Sequence, residues 1–280
     1  MKHAQTVPVL MYHHISPSEG MITTSPANFE RQLAWMAQHG YRSLTSDEFA
    51  GHLNGQPVPD KSILITFDDG YLDNWVYAYP LLKKYGYTAL VFLVTSWINE
   101  GPIRHILGQG DLPETPAHQE CERLIEQGAS DDVILRWSEI KAMQADGTFE
   151  FHSHTHTHTR WDKSDRFFEK NTLMAQELAL SRAALQENLG EVSDHFCWPQ
   201  GYFDPDYVQI AKQAGFRYLY TTHAFGQNRA GTDPAFIHRF AVRNTTGASV
   251  GRRIWIAAHP VVGPLFNRWK LWKRARRQKT

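Results

Sequence analysis

Short apolar runs alternate with amphipathic stretches along almost the whole chain, and this alternation restricts the fold more than any other feature. Residues 62–67 and 87–94 read as buried strands. Further strands are expected at 7–12, 41–44, 148–152, 194–198, 217–222 and 237–243. Helix signals fall between them. Ser25-Pro26 supplies an N-cap and a first-turn proline, Phe29, Leu33 and Met36 share a face, and Gly40 is the stop. Thr45-Ser46-Asp47-Glu48 reads as a capping box. Other helices are expected over 72–85, 137–145, 165–189 and 205–214. Alternating β and α elements imply a parallel sheet covered by helices. About seven strands without a dinucleotide-type glycine pattern favour an α/β barrel over an open doubly wound sheet.

The 280 residues suit a single such domain, and 42% apolar residues supply its core. Residues 1–260 are expected to form the barrel. Within it, 96–135 break the rhythm with scattered Gly, Pro and mixed charge, and read as an insertion that forms a rim or lid. Cys121 and Cys197 do not make a disulfide framework.

Charge is unevenly placed. Seven of the 29 Lys and Arg lie in residues 261–280, which hold no acid, so the body carries 22 cations against 29 anions. Leu265, Trp269 and Trp272 recur at i, i+4, i+7 in this tail, the pattern of a basic amphipathic helix on an anionic membrane surface. The plainer reading is a terminal helix that packs its Trp stripe on the barrel. The start of the chain lacks a signal-type apolar run, and no apolar run is long enough to span a bilayer. The expected location is the cytoplasm, peripheral on the inner face of the cell membrane. Nucleic acid is not an expected partner.

Four segments with chemical potential fall at strand ends, where α/β barrels carry their sites. These are His13-His14, Asp68-Asp69, the run from His152 to His158, and Trp198-Pro199-Gln200-Gly201. Two adjacent carboxylates repel unless a cation sits beside them. Asp69 with two imidazoles makes a three-ligand metal site that leaves room for water, and Asp68 is left free as a base. His154 and His158 share a face if the chain turns helical after its strand; all four even-numbered histidines share one if it stays extended. The plain alternatives are a His-rich surface loop and an Asp-Asp-Gly turn. His13 is a candidate general acid, although strand phase alone does not separate it from His14. Trp198-Pro199-Gln200-Gly201 is either an ordinary turn or an oxyanion-binding loop whose Trp198, or the following Tyr202, stacks on a sugar.

Together these residues resemble the NodB-homology polysaccharide deacetylases, carbohydrate esterase family 4, over roughly residues 7–245. Thr66-Phe67-Asp68-Asp69-Gly70 is similar to the first motif of that family, and the run from Glu150 to His158 to the second. The resemblance implies a distorted (β/α)7-type barrel. It implies Asp68 as base and Asp69, His154 and His158 as ligands of a divalent metal, zinc first, with cobalt, nickel or iron also suited. In the third motif Pro199 and Gly201 are kept, the oxyanion-binding N–H falls on Gln200, and Cys197 stands where many members have an Arg that braces the catalytic Asp. Leu10-Met11-Tyr12-His13 is similar to the subgroup of biofilm poly-N-acetylglucosamine deacetylases, which implies His13 as acid. Arg239 lies where related sequences tend to have an Arg, and is a candidate site residue. The implied reaction removes an acetyl group, N-acetyl first, from an acetylated glycan. The rival readings are an amidohydrolase of a small non-carbohydrate amide and a catalytically silent glycan-binding protein.

Overall fold

Seven strands form the main sheet of the computed structural model, which describes residues 2–277. They are β1 (Val9–Tyr12), β2 (Ser62–Asp69), β3 (Ala89–Leu93), β4 (Phe149–Ser153), β5 (His195–Cys197), β6 (Tyr218–Tyr220) and β7 (Phe240–Ala241). Their order is β7-β1-β2-β3-β4-β5-β6, every neighbouring pair is parallel, and a short strand Arg42–Ser43 adds beside the start of β2. The ends of this curled sheet meet through one segment. The Ile237 N–H donates to the Leu219 carbonyl, and further on the Val242 N–H donates to the Met11 carbonyl, at 3.0 and 2.9 Å. The segment thus bonds first to β6 and then to β1. For this reason the strand expected over 237–243 shrinks to two residues. The result is the distorted (β/α)7-type barrel, in one domain.

Strand phase sorts the core. Val9, Leu64, Leu90, Phe92 and Tyr220 pack in one cluster inside the barrel, while Leu10, Ile63, Ile65, Phe67 and Val91 pack in another beneath the helices. Burial of each large side chain is worth about 1.5–3 kcal/mol. Asp68 lies in phase with Leu64 and so points inward.

The local signals for helices hold in several places. Ser25 caps Pro26–Gln38 by accepting from the Asn28 N–H, and the Thr45–Glu48 capping box is complete. Two expected helices differ. The 72–85 stretch begins as a π-helical turn, Asn74–Ala78, before Tyr79–Tyr85 becomes α-helical. Pro80 has no N–H to donate and its ring crowds the carbonyl four residues back, which widens the preceding turn. The long helix starts at Lys170, not 165, after two 3₁₀ turns. The Ser164 hydroxyl accepts from the Arg166 N–H there, a local bond that competes with helix.

Residues 96–135 contribute the helix His118–Glu126, which contains Cys121. The tail forms a helix, Val262–Arg277. Among the described residues no helix is long and apolar enough to cross a membrane.

Candidate active site

A cavity of about 200 Å³ opens at the C-terminal ends of the strands and is lined by His13, Asp68, Asp69, His154, His158 and Gln200, among others. Asp68 and Asp69 end β2, yet their surroundings differ sharply. Asp68 receives a two-pronged pair from Arg239, Nη1 to Oδ1 at 2.6 Å and Nη2 to Oδ2 at 2.9 Å. Burial by itself raises the Asp68 carboxyl, but the Arg239 guanidinium outweighs it and holds the group below the usual carboxylate range. Arg239 is itself buried. It donates further to the Thr66 hydroxyl and the Thr221 carbonyl, and its Nη2 lies 2.9 Å from the Cys197 sulfur. Cys197 gives Asp68 only a long sulfur contact of 3.9 Å, and the brace comes from the segment leading into β7. Arg239 does not line the cavity, so its expected role at the substrate is replaced by one of holding Asp68.

Asp69 faces two imidazoles. His154 Nε2 and His158 Nε2 lie 3.3 and 3.5 Å from its Oδ1, and that buried oxygen has no hydrogen-bond partner. The three donor atoms lie within 4.8 Å of one another. His154 Nδ1 lies 2.8 Å from the Cys197 carbonyl. The ring donates from Nδ1 to that carbonyl and turns Nε2 toward Asp69. Burial pushes the His158 imidazole down to about 4, so it stands neutral. Burial also lowers His154, but its anionic neighbours outweigh this and hold it well above its usual value. The cluster thus attracts positive charge. Two imidazoles and one carboxylate, whose buried Oδ1 has no hydrogen-bond partner, fit a divalent metal ion.

The loop after β4 is neither extended nor helical. Thr155 and His158 adopt left-handed backbone, φ 69° and 62°. Glu177 holds the loop from the long helix, accepting from the His156 and Thr157 N–H groups at 2.9 and 2.7 Å. Two histidines of the run point elsewhere: His152, still within β4, contacts Ser193, and His156 contacts Thr95. Asp69 and Gln200 are also left-handed, at φ 75° and 53°. Four strained non-glycine residues around one cavity cost of order 1–3 kcal/mol each, and such strain collects at functional sites.

His13 shares the inward phase of Val9, and its Nε2 lies 3.8 Å from Asp68 Oδ2 on the neighbouring strand. Burial pushes its imidazole below the usual value, against the pull of Asp68 and Asp69. His14 takes the other phase. It is buried, stacks on Tyr71, and contacts Asp73 at 2.6 Å and His118 at 3.2 Å.

The third segment divides. Gln200 and Gly201 line the cavity. Gly201 is required there, because a Cβ would stand 2.1 Å from the Thr222 hydroxyl. Trp198 does not stack on a sugar. Its side chain is fully buried among Phe196, Phe203 and Tyr207, and anchors the loop from below. Pro199 is likewise buried and shapes the turn, and Tyr202 lies beneath the Arg160 guanidinium, 4.2 Å away. Sequence reasoning also passed over Tyr71, Trp97, His118 and Glu122, which line the cavity. The His118–Glu122 spacing of i, i+4 in the insertion was an available signal.

Fold and site together define the class: a parallel barrel with a metal-fitting triad and a separately braced carboxylate at its mouth. The chain belongs to the polysaccharide deacetylase family, whose model matches residues 55–219. It is similar to the Staphylococcus aureus poly-beta-1,6-N-acetyl-D-glucosamine N-deacetylase, at 26% identity over 201 residues, 70% of this chain and 60% of that protein. A Bacillus subtilis relative, YxkH, is 39% identical over 113 residues, 40% of this chain and 39% of that protein. The chain spans less than two thirds of the length of these curated relatives. Among solved structures, IcaB from Ammonifex degensii superposes with a TM-score of 0.71 at 27% identity, covering 90% of this chain and 98% of that one. The Streptococcus pyogenes deacetylase PplD shares the fold, with a TM-score of 0.70 at 22% identity over 90% and 99% of the two chains.

Proposed function

We propose that this chain is a metal-dependent deacetylase that removes N-acetyl groups from an N-acetylglucosamine-type glycan. The observation that carries the reading is the division of labour at β2, where Asp69 completes a metal-fitting triad and Asp68 is held ionised by Arg239. Asp69, His154 and His158 would hold the ion, which would take the place of the Nε2 proton of His154, and zinc best suits two imidazoles and a carboxylate. When bound, such an ion supplies Lewis-acid polarisation of the acetyl carbonyl. Asp68 takes a proton from the attacking water, and Arg239 keeps its carboxylate aimed and charged for that task. His13, beside Asp68 at the end of the neighbouring strand, delivers a proton to the leaving amine. The left-handed turn at Gln200 supports a backbone donor toward the developing oxyanion.

Similarity to a poly-N-acetylglucosamine deacetylase supports this substrate class over a small amide. Acetate release from a panel of N- and O-acetylated glycans and small amides, with metal supplied, tests the choice. Release from small amides alone would overturn the glycan reading, and no release from any member would favour the binding-protein reading.

The tail supports a place for the enzyme. Leu265, Trp269 and Trp272 are about half exposed or more, not packed on the barrel. A basic helix with an open Trp face suits an anionic leaflet, so the proposed location is the cytoplasmic face of the membrane.

A further inference from the structure

A second cavity, of about 390 Å³, opens where the tail helix meets the barrel. Arg243, Arg253 and Lys270 line it together with Phe240, Phe266 and Ser249, and no carboxylate does. Arg253 is the unusual member. Its Nη2 donates to the Ala224 carbonyl at 2.8 Å, but its buried Nη1 has no hydrogen-bond partner. Its guanidinium lies over the Phe240 and Phe266 rings, 4.4 and 5.4 Å from their centroids. Burial pulls it down to about 10, which leaves it charged at neutral pH. A cation withdrawn from water with no acid beside it is costly unless an anion joins it.

The cavity touches both functional regions. Met11 lines the active-site cavity and pairs with Ala241, which lines this one. Lys270 Nζ lies 5.3 Å from the Phe266 ring inside and 5.0 Å from the ring of half-exposed Trp269. The cationic recess therefore opens beside the apolar face of the tail.

We propose that this cavity binds a phosphate group presented by a lipid surface. Arg243 and Lys270 give charge-assisted donors, the Ser249 and Thr245 hydroxyls add neutral ones, and the anion offsets the charge of Arg253 behind them. Trp269 and Leu265 enter the boundary between headgroups and acyl chains. The inference rests on the membrane reading of the tail and adds a defined headgroup site to it.

The test compares two double variants of the full chain. Arg243→Gln/Lys270→Gln empties the cavity of its accessible cations. Arg274→Gln/Arg276→Gln removes the same charge from exposed positions of the tail helix outside the cavity. Binding is read by sedimentation with phosphatidylglycerol and phosphatidylcholine vesicles and by calorimetry with free pyrophosphate, after matched melting curves establish that both variants fold. The cavity pair should lose about 10-fold more affinity for phosphatidylglycerol vesicles than the control pair, because it removes directed donors as well as charge. Wild type should bind pyrophosphate weakly, and the cavity pair not at all. Equal vesicle losses in the two pairs would overturn the site and leave the membrane reading standing. Pyrophosphate binding lost in the cavity pair, without vesicle binding by wild type, would overturn the lipid source and the membrane reading together. Binding of neither ligand by wild type would overturn the whole proposal.

Discussion

At the barrel mouth two adjacent carboxylates are withdrawn from water and each is given its own partners, whereas along the tail helix cations and Trp side chains face solvent. Arg239 meets Asp68 in one geometry and is buried with it. Arg268, Lys273, Arg274 and Arg276 stand exposed. Charge at the mouth is specific because its desolvation is tolerated only where geometry compensates it. Charge on the tail is cheap to expose, additive, and screened by salt over about 10 Å at 0.1 M. Changes at the mouth should therefore be large, individual and nearly indifferent to salt. Those on the tail should be small, cumulative and abolished by it.

The largest effect should come from dividing the two carboxylates. Asp68→Asn is expected to lower turnover by about 10²–10⁴-fold while keeping the metal, since an amide cannot take a proton. His154→Ala should lose metal as well as turnover. Elemental analysis beside acetate assays reads both, and equal metal in wild type and His154→Ala would remove that residue from the ligand set.

Arg239→Met comes next. Removing one partner of a buried pair should cost about 3–5 kcal/mol in urea unfolding. The sign of the pH effect follows from the shift. Arg239 depresses Asp68, so the pair stabilises the fold above the ordinary carboxylate value and its contribution is lost as pH falls through the depressed one. Without Arg239 burial is opposed only by the weaker pull of His13 and His154, the Asp68 carboxyl rises, and the acid limb of kcat/KM should move to higher pH. An unmoved limb would show that Arg239 does not tune the base.

His13→Ala and His14→Ala sharpen the contrast within one strand. His13→Ala should lose about 10²-fold in rate with stability kept. His14→Ala should lose about 1–3 kcal/mol of stability, because Asp73 is left with fewer partners in a buried place. Severe rate loss confined to His14→Ala would reverse the assignment of the acid.

The smallest effects belong to the tail. Each exposed Lys or Arg changed to Gln should weaken phosphatidylglycerol vesicle binding by about 1 kcal/mol at low salt. Turnover of a soluble substrate should not change. Binding indifferent to salt would place the tail in the same category as the mouth.

Local chemistry was legible wherever the deciding neighbours lie within a few residues. The Ser25 and Thr45 caps depend on backbone groups close by in the chain. Asp68, Asp69, His154 and His158 were legible as a set because barrel strands carry their residues to one end. The role of Arg239 was not. Its partner lies 171 residues away, and only the closure of the barrel through the segment before β7 brings them together. The burial of Trp198 was equally hidden, since it depends on Phe203 and Tyr207 packing around it. The sequence by itself determined the alternation of strands and helices, the gathering of carboxylates and histidines at strand ends and the charge of the tail, because these rest on residue type and local pattern. Tertiary structure alone decided which histidine of the His13-His14 pair faces the cavity, what braces Asp68, and that the Trp face of the tail stays open, because each depends on which distant surfaces meet once the core is buried.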